Sequence, residues 1–226
     1  MRLLQLISAV VALATVGSAS AQVINEIRID AAGTNDQEFI ELEGTPNVSA
    51  DGLTVIVLGD DSTAGSGYIE EVLDLTGVSF DANGLLTIAE PDPMTGDCSD
   101  KPNVTVCTAP NGLDFENNDN ITFLLVDAFI GDKGDDLDTE DTDADDDGGD
   151  GIIDDEPWAS VLDRIAVIEA DNPATPVTDW HYGPPTVGPI DVGGTDKSPG
   201  HVYRCGSTWE IGVFDYTMGV DTCLLY

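Results

Sequence analysis

The stretch "QVINEIRID", residues 22–30, sets a pattern that much of the chain repeats. Within it the apolar Ile27 and Ile29 alternate with the charged Glu26 and Arg28. Side chains of a β-strand point alternately to its two faces, so this spacing is typical of a strand with one face on a core. The stretch therefore predicts a β-strand near the beginning of the folded chain.

Six further stretches have the same character, with five to nine residues rich in Val, Ile, Leu, Thr and aromatic side chains. They are "QEFIELEG" (37–44), "GLTVIVLGD" (52–60), "YIEEVLDL" (68–75), "GLLTIAE" (84–90), "NITFLLVDAF" (120–129) and "VLDRIAVIEA" (161–170). Turn-forming residues separate them, and "DANG" (81–84) has the composition of a hairpin turn. "EPWASVLDRIAVIE" is compatible with a short initial helix, but a strand over 162–168 is favoured. The succession predicts an all-β fold, an antiparallel β-sandwich.

Long loops interrupt this succession. Residues 91–112 are rich in Pro and Asp, residues 132–157 form an acidic insertion, and residues 171–200 hold six of the twelve prolines. Segments of this composition are expected to run over the surface in extended or turn conformations.

The first 21 residues have the features of a secretory signal peptide. Arg2 precedes an apolar run, and Ala19 and Ala21 fit the small-residue cleavage pattern. The apolar run is too short to span a bilayer of ~30 Å. We therefore expect residues 22–226 to be a single domain, exported to the extracellular space or periplasm, without a transmembrane segment.

The charge of the chain disfavours direct contact with nucleic acid. There are 7 Lys+Arg against 44 Asp+Glu, a net charge of -37, and loss of Arg2 leaves 6 against 44, or -38. Phosphate binding depends on Lys and Arg that release counterions. Acidity of this kind is also common on soluble exported proteins.

Four cysteines in an exported chain predict disulfides. Three pairings are possible, and we favour Cys98–Cys107 with Cys205–Cys223 because each closes a short, turn-rich loop. There is no C-x-x-C pair and only two His are present, which argues against a structural zinc site.

The N-terminal half resembles the lamin-tail domain of exported bacterial proteins. The matching positions are Ile24, Asn25, Glu26 and Ile27; Glu38, Phe39, Ile40, Glu41 and Leu42; and Asp51, Gly52 and Leu53. The resemblance implies an immunoglobulin-like β-sandwich, and an accessory role beside exported nucleases. The chain departs from the family at its end, where "DTCLLY" places Cys223.

The acidic insertion is the main candidate for chemistry. Residues 135–156 hold 13 Asp or Glu among 22 positions, with Gly148 and Gly151 between them. Calcium takes about 6–8 oxygen ligands, and spaced Asp with a Gly that permits a sharp turn form its common loop. The predicted ligands are Asp138, Asp141, Asp143, Asp145, Asp147, Asp150 and Asp154.

Two registers of a calcium loop remain open. In one, Asp143, Asp145 and Asp147 take positions 1, 3 and 5. In the other, Asp146 and Asp150 take positions 1 and 5. Asp136 and Asp138 could serve a second ion. We expect weak affinity, with a Kd of about 10⁻⁴–10⁻³ M, and a purely solvated acidic loop is the alternative.

Three functions follow from these observations. The favoured one is a non-enzymatic binding or adhesion module, with an unidentified extracellular ligand and a calcium-binding loop. The second is a metal-dependent hydrolase or a nuclease-associated accessory protein. The third is a structural component of a surface or matrix. No catalytic residues are assigned, since His181 and His201 stand in no nucleophile motif and the carboxylates Glu26, Glu38 and Glu41 fit a structural role on alternating strands. An exposed aromatic patch around Trp180 and Tyr182 would favour the first function.

Overall fold

The computed structural model is all-β: its described residues form strands, turns and irregular segments, with no helix among them. These residues are 21–29, 38–61, 65–92, 95–99, 103–109, 112–113, 115, 119–139, 150–170 and 180–212. The predicted signal peptide lies outside them except for Ala21.

The strands form two large sheets and one small hairpin. In the six-stranded sheet the order is β13 (Thr208–Ile211), β12 (His201–Cys205), β1 (Val23–Arg28), β2 (Phe39–Glu43), β5 (Leu85–Ala89) and β6 (Val104–Cys107). In the five-stranded sheet it is β4 (Gly65–Asp74), β3 (Leu53–Asp61), β7 (Ile121–Asp127), β8 (Ser160–Val167) and β9 (Thr186–Val187). The hairpin pairs β10 (Ile190–Asp191) with β11 (Asp196–Lys197).

Neighbouring strands run antiparallel with two exceptions at sheet edges. β6 pairs with β5 in parallel, and β9 pairs with β8 in parallel. Two parallel strands that follow each other in the chain must start at the same end of the sheet. A long connection is therefore needed before β6 and before β9. The prediction of an antiparallel arrangement is therefore correct for the sheet interiors and wrong at these two edges.

The inner faces of the two sheets share one hydrophobic core, so the architecture is a β-sandwich. Ile27 and Ile40 of the six-stranded sheet lie in the same buried cluster as Val55, Phe123 and Ile165 of the five-stranded sheet. The all-β prediction is confirmed, whereas immunoglobulin-like connectivity remains a prediction.

The outer face of the five-stranded sheet is also buried. Ile56 on β3 and Leu124 on β7 point away from the shared core and pack with Leu137 and Tyr182 in a second cluster. Both contributors come from outside the strands: Leu137 from the acidic insertion and Tyr182 from the Pro-rich segment. These two loops therefore cover a sheet face that would otherwise expose apolar side chains to water.

The acidic insertion also pairs with the edge of the sheet. The backbone N–H of Ile69 on β4 donates to the carbonyl of Asp135, and that of Leu137 donates to the carbonyl of Gly67. An unpaired edge strand presents a row of open donors and acceptors, and this pairing satisfies part of the row on β4.

The seven strands predicted from alternation are all present, as β1–β5, β7 and β8. β8 begins at Ser160, which excludes the short helix considered for this region. Turn geometry at 81–84 is as expected, since the N–H of Gly84 donates to the carbonyl of Asp81 and Gly84 has φ +86°.

Cys98 and Cys107 form the predicted disulfide, with their Cα atoms 5.9 Å apart. The other predicted pair involves Cys223, which lies outside the described residues. Among the residues described, no helix has the length and apolar character needed to cross a membrane.

Candidate functional site

Asp138 fastens the two ends of the acidic insertion together. Its side chain is buried, with 1% of the residue exposed. Oδ1 accepts a hydrogen bond of 2.9 Å from the N–H of Asp150, and Oδ2 accepts one of 2.9 Å from the N–H of Gly151. Oδ2 also accepts a bond of 2.8 Å from the phenol of Tyr182. We call this arrangement of Asp138, Asp150, Gly151 and Tyr182 the Asp138 clamp.

Two glycines permit the close packing around the clamp. A Cβ on Gly67 would lie 2.6 Å from the Cβ of Asp138 and 2.8 Å from the Tyr182 oxygen. A Cβ on Gly151 would lie 2.8 Å from the Trp180 ring. Both residues also have positive φ, +99° and +81°, a region that residues other than Gly rarely adopt. Each glycine is therefore required by its position.

Negative charge accumulates beside the clamp. Burial raises the pKa of the Asp136 carboxyl, and the charges of Asp138 and Asp154 act in the same direction. Burial likewise raises the pKa of Tyr182, with the Asp138 charge adding to the effect, so the phenol stays protonated and donates its hydrogen bond. The clamp is therefore a neutral donor bound to a charged acceptor, with further carboxylates around it.

Three of the predicted metal ligands, Asp138, Asp150 and Asp154, lie in the described residues, and the contacts between them are made by backbone N–H groups. Asp150 is bonded to Asp138, and the N–H of Asp154 donates to the carbonyl of Leu137. The other four predicted ligands, Asp141, Asp143, Asp145 and Asp147, lie outside the described residues. Within the described residues alone, no group of three or more His, Cys, Asp or Glu is placed to hold a metal ion.

The segment between the two sides of the clamp is strongly acidic in sequence. Asp138 and Asp150 stand 12 residues apart and are held in contact. Residues 139–149 contain six Asp or Glu and neither Lys nor Arg.

A cavity of about 260 Å³ lies against the clamp, over the outer face of the five-stranded sheet. Leu124 and Tyr182 line it from the sheet side, and Ile152 and Trp158 line it from the returning end of the insertion. Gly151 belongs both to the clamp and to the cavity lining. The position of the acidic loop therefore fixes one lip of the cavity.

A second polar cluster lies on the outer face of the six-stranded sheet. Glu26 and Glu41 are directly paired across β1 and β2, and the Glu26 Oε1 lies 2.8 Å from the His201 Nε2. Burial raises the pKa of Glu41 against the opposing effect of hydrogen bonds from Asn25 and Thr87. Of the three carboxylates Glu26, Glu38 and Glu41, Glu26 and Glu41 therefore lie next to each other.

Glu38, the third of these carboxylates, lies apart from the pair, and its Oε2 accepts a hydrogen bond from the N–H of Phe115. His201 lies on strand β12, with its ring 6.1 Å from that of Phe39 and 6.0 Å from that of Tyr203. It is therefore packed between two aromatic rings.

The two histidines belong to different places in the fold. His201 is on the six-stranded sheet, whereas His181 adjoins Tyr182 over the five-stranded sheet. Tyr182 is 4% exposed and Trp180 is half-buried, so these two residues do not form the exposed aromatic patch that would have favoured a binding module.

Sequence reasoning missed this cavity. Its lining joins Leu124 on β7, Arg164 on β8 and the return segment 151–158, which are far apart in the chain. On β8 both Val161 and Arg164 line the cavity, because the register of β8 on β7 shifts between these two residues and interrupts the alternation of faces. Nothing in the sequence shows that these two residues meet Trp158.

Comparisons with protein-family models, with curated proteins and with solved structures find no match for this chain. The lamin-tail resemblance consequently rests on the N-terminal motifs alone.

Proposed function

We propose that the chain is an exported, non-enzymatic binding or adhesion module of lamin-tail type, and that calcium bound by its acidic loop stabilises the surface that contacts the ligand. The observation that carries this proposal is the position of Gly151, which connects the Asp138 clamp to the lip of the cavity. An ion that orders the acidic loop would thereby order the cavity.

The chemistry of the loop supports calcium as the ion. The six acids of residues 139–149 supply hard oxygen ligands only, and calcium accepts such ligands in flexible geometry. Both carboxylate oxygens of Asp138 already accept protein hydrogen bonds. We therefore propose that Asp138 holds the loop in place and is not itself a calcium ligand. We expect the ion to lie among the acids beyond the clamp, with Asp150 or Asp154 as an additional ligand.

Isothermal titration of calcium into the mature protein tests the proposal. We expect binding with a Kd of about 10⁻⁴–10⁻³ M, and its loss in the triple variant Asp143→Asn, Asp145→Asn, Asp147→Asn. A control triple variant, Glu43→Gln, Asp196→Asn, Glu210→Gln, removes the same charge from exposed positions elsewhere. Equal calcium binding by the two variants would show that general surface charge attracts the ion, and would overturn the proposed site.

A further inference from the structure

Arg164 differs from two other cations of the described residues, Arg204 and Lys133. The protein has only 7 Lys+Arg for 44 Asp+Glu, so carboxylate partners are abundant. Arg204 pairs with Asp163, and Lys133 pairs with Glu71. Arg164 donates one long hydrogen bond, 3.5 Å from Nη1 to the carbonyl oxygen of Tyr182. No carboxylate of the described residues lies within ion-pair distance of its guanidinium.

The half-buried guanidinium of Arg164 lines the cavity. A guanidinium presents five N–H donors in a planar fork that matches the two oxygens of a carboxylate. In so acidic a chain, an arginine that faces a cavity and has no carboxylate partner among the described residues points to a carboxylate supplied by a ligand.

The rest of the lining limits what that ligand can be. Ile152, Ile153 and Trp158 offer an apolar wall, which suits a hydrocarbon or aromatic body. The volume of about 260 Å³ lies below the ~300–1,000 Å³ typical of sites for drug-sized molecules. The ligand is therefore small.

Glu156 adds the second charge of the lining. Its carboxylate would repel a simple anion, but it would attract an ammonium group carried by the same ligand. We infer that the cavity binds an apolar or aromatic α-amino acid as its zwitterion: the carboxylate on Arg164, the ammonium towards Glu156, and the side chain against Trp158 and Ile153. This inference rests on the proposed function as a binding module, and it places no calcium ion in contact with the ligand.

Three probes separate the parts of this recognition in saturation-transfer NMR titrations of the mature protein. L-Phenylalanine carries both charges, phenylalaninamide lacks the carboxylate, and 3-phenylpropionate lacks the ammonium. We expect L-phenylalanine to bind about tenfold or more tightly than phenylalaninamide, and about two- to fivefold more tightly than 3-phenylpropionate, because Glu156 is exposed.

Substitutions assign each difference to its residue. Arg164→Gln is expected to abolish the preference for L-phenylalanine over phenylalaninamide, and Glu156→Gln the preference over 3-phenylpropionate. Lys133→Gln removes one positive charge outside the cavity lining and should change neither preference. If Arg164→Gln does not fold, Ile152→Glu serves instead, since Ile152 is 60% exposed at the cavity and its new carboxylate should weaken L-phenylalanine but not phenylalaninamide.

The inference is overturned if phenylalaninamide binds as tightly as L-phenylalanine, if Arg164→Gln or Ile152→Glu leaves the preference intact, or if L-phenylalanine shows no saturable binding at about 10 mM. Parallel titrations in calcium and in chelator keep this test separate from the calcium proposal. The same spectra report whether L-phenylalanine is consumed. Its conversion would contradict the proposed non-enzymatic function itself.

Discussion

Asp138 shows how one carboxylate can have a structural role inside a stretch whose composition indicates metal binding. It is the acid of the insertion that accepts bonds from two backbone N–H groups and a buried phenol. Such bonds favour the charged carboxylate and offset the cost of burying it. The calcium ligands that we propose are therefore its neighbours in sequence, from Glu140 onwards.

Asp138→Asn is expected to destabilise the protein more than Tyr182→Phe. Asparagine keeps the size of Asp138, but its amide NH₂ would face at least one of the three donors that the carboxylate now satisfies. We expect a loss of about 1–3 kcal/mol in the free energy of unfolding for Asp138→Asn and about 1 kcal/mol for Tyr182→Phe. Urea denaturation in chelator measures both values. Equal losses would mean that the backbone bonds of the clamp contribute little.

Glu41 is expected to make stability depend on pH. Burial raises the pKa of the Glu41 carboxyl in the folded protein above its usual value. The folded state then takes up the proton more readily than the unfolded state. The contribution of Glu41 to stability is therefore present at low pH and lost as pH rises through the folded pKa.

Glu41→Gln should mimic the protonated form and keep both hydrogen-bond partners. We expect its melting temperature to exceed that of the parent by about 1–3 °C at neutral pH, and the difference to vanish in acid. Glu43→Gln, on the same strand but exposed, is the control. A difference that is constant from neutral to acid pH would contradict the assignment.

At the scale of elements, one loop covers the five-stranded sheet, and side chains on the strands join the two sheets. The acidic insertion pairs with the β4 edge and covers apolar side chains of β3 and β7. A separate contact joins the sheets: Asp163 on β8 accepts bonds from the N–H of Ile24 at 2.8 Å and from Arg204 Nη2 at 2.6 Å. The Arg204 side chain also lies 4.8 Å from the centre of the Trp209 ring.

Asp163→Ala should loosen the connection between the sheets. It leaves the N–H of Ile24 and the Arg204 guanidinium without their acceptor, and we expect a loss of about 2–3 kcal/mol in the free energy of unfolding. In a double-mutant cycle with Arg204→Met, we expect a coupling of about 1–2 kcal/mol. Asp127→Ala, which removes a carboxylate bonded to Ser160 on the neighbouring strand, should cost less than Asp163→Ala. Strictly additive effects of Asp163→Ala and Arg204→Met would show that the ion pair makes no net contribution to the free energy of unfolding.

At the scale of the whole molecule, alternation in the sequence predicts most of the sandwich. Val55 and Val57 reach the shared core while Ile56 and Leu58 reach the second cluster, so this strand is apolar on both faces. The sequence shows that both faces of this strand must be shielded from water by other parts of the chain. It does not show that Leu137 and Tyr182 supply it, because that depends on the folded path of two long loops.

The same reason explains what the sequence leaves out. Strands β9, β10 and β11 have two residues each, too few for any periodicity. The burial of Asp138 depends on Tyr182, 44 residues later in the chain. The composition shows a run of acids in residues 135–156. It does not show that Asp138 is the one in the clamp, because that depends on tertiary contacts.

The most direct test of the central claim, that calcium stabilises this module through its acidic loop, is calorimetric unfolding of the mature protein in calcium and in chelator. At about 10 mM calcium and the expected Kd of ~10⁻⁴–10⁻³ M, mass action gives about 1.4–2.7 kcal/mol. That corresponds to a rise of about 3–10 °C in melting temperature. Magnesium at equal ionic strength controls for charge screening. A melting temperature that is the same in calcium and in chelator, or that rises equally in magnesium, would contradict the claim.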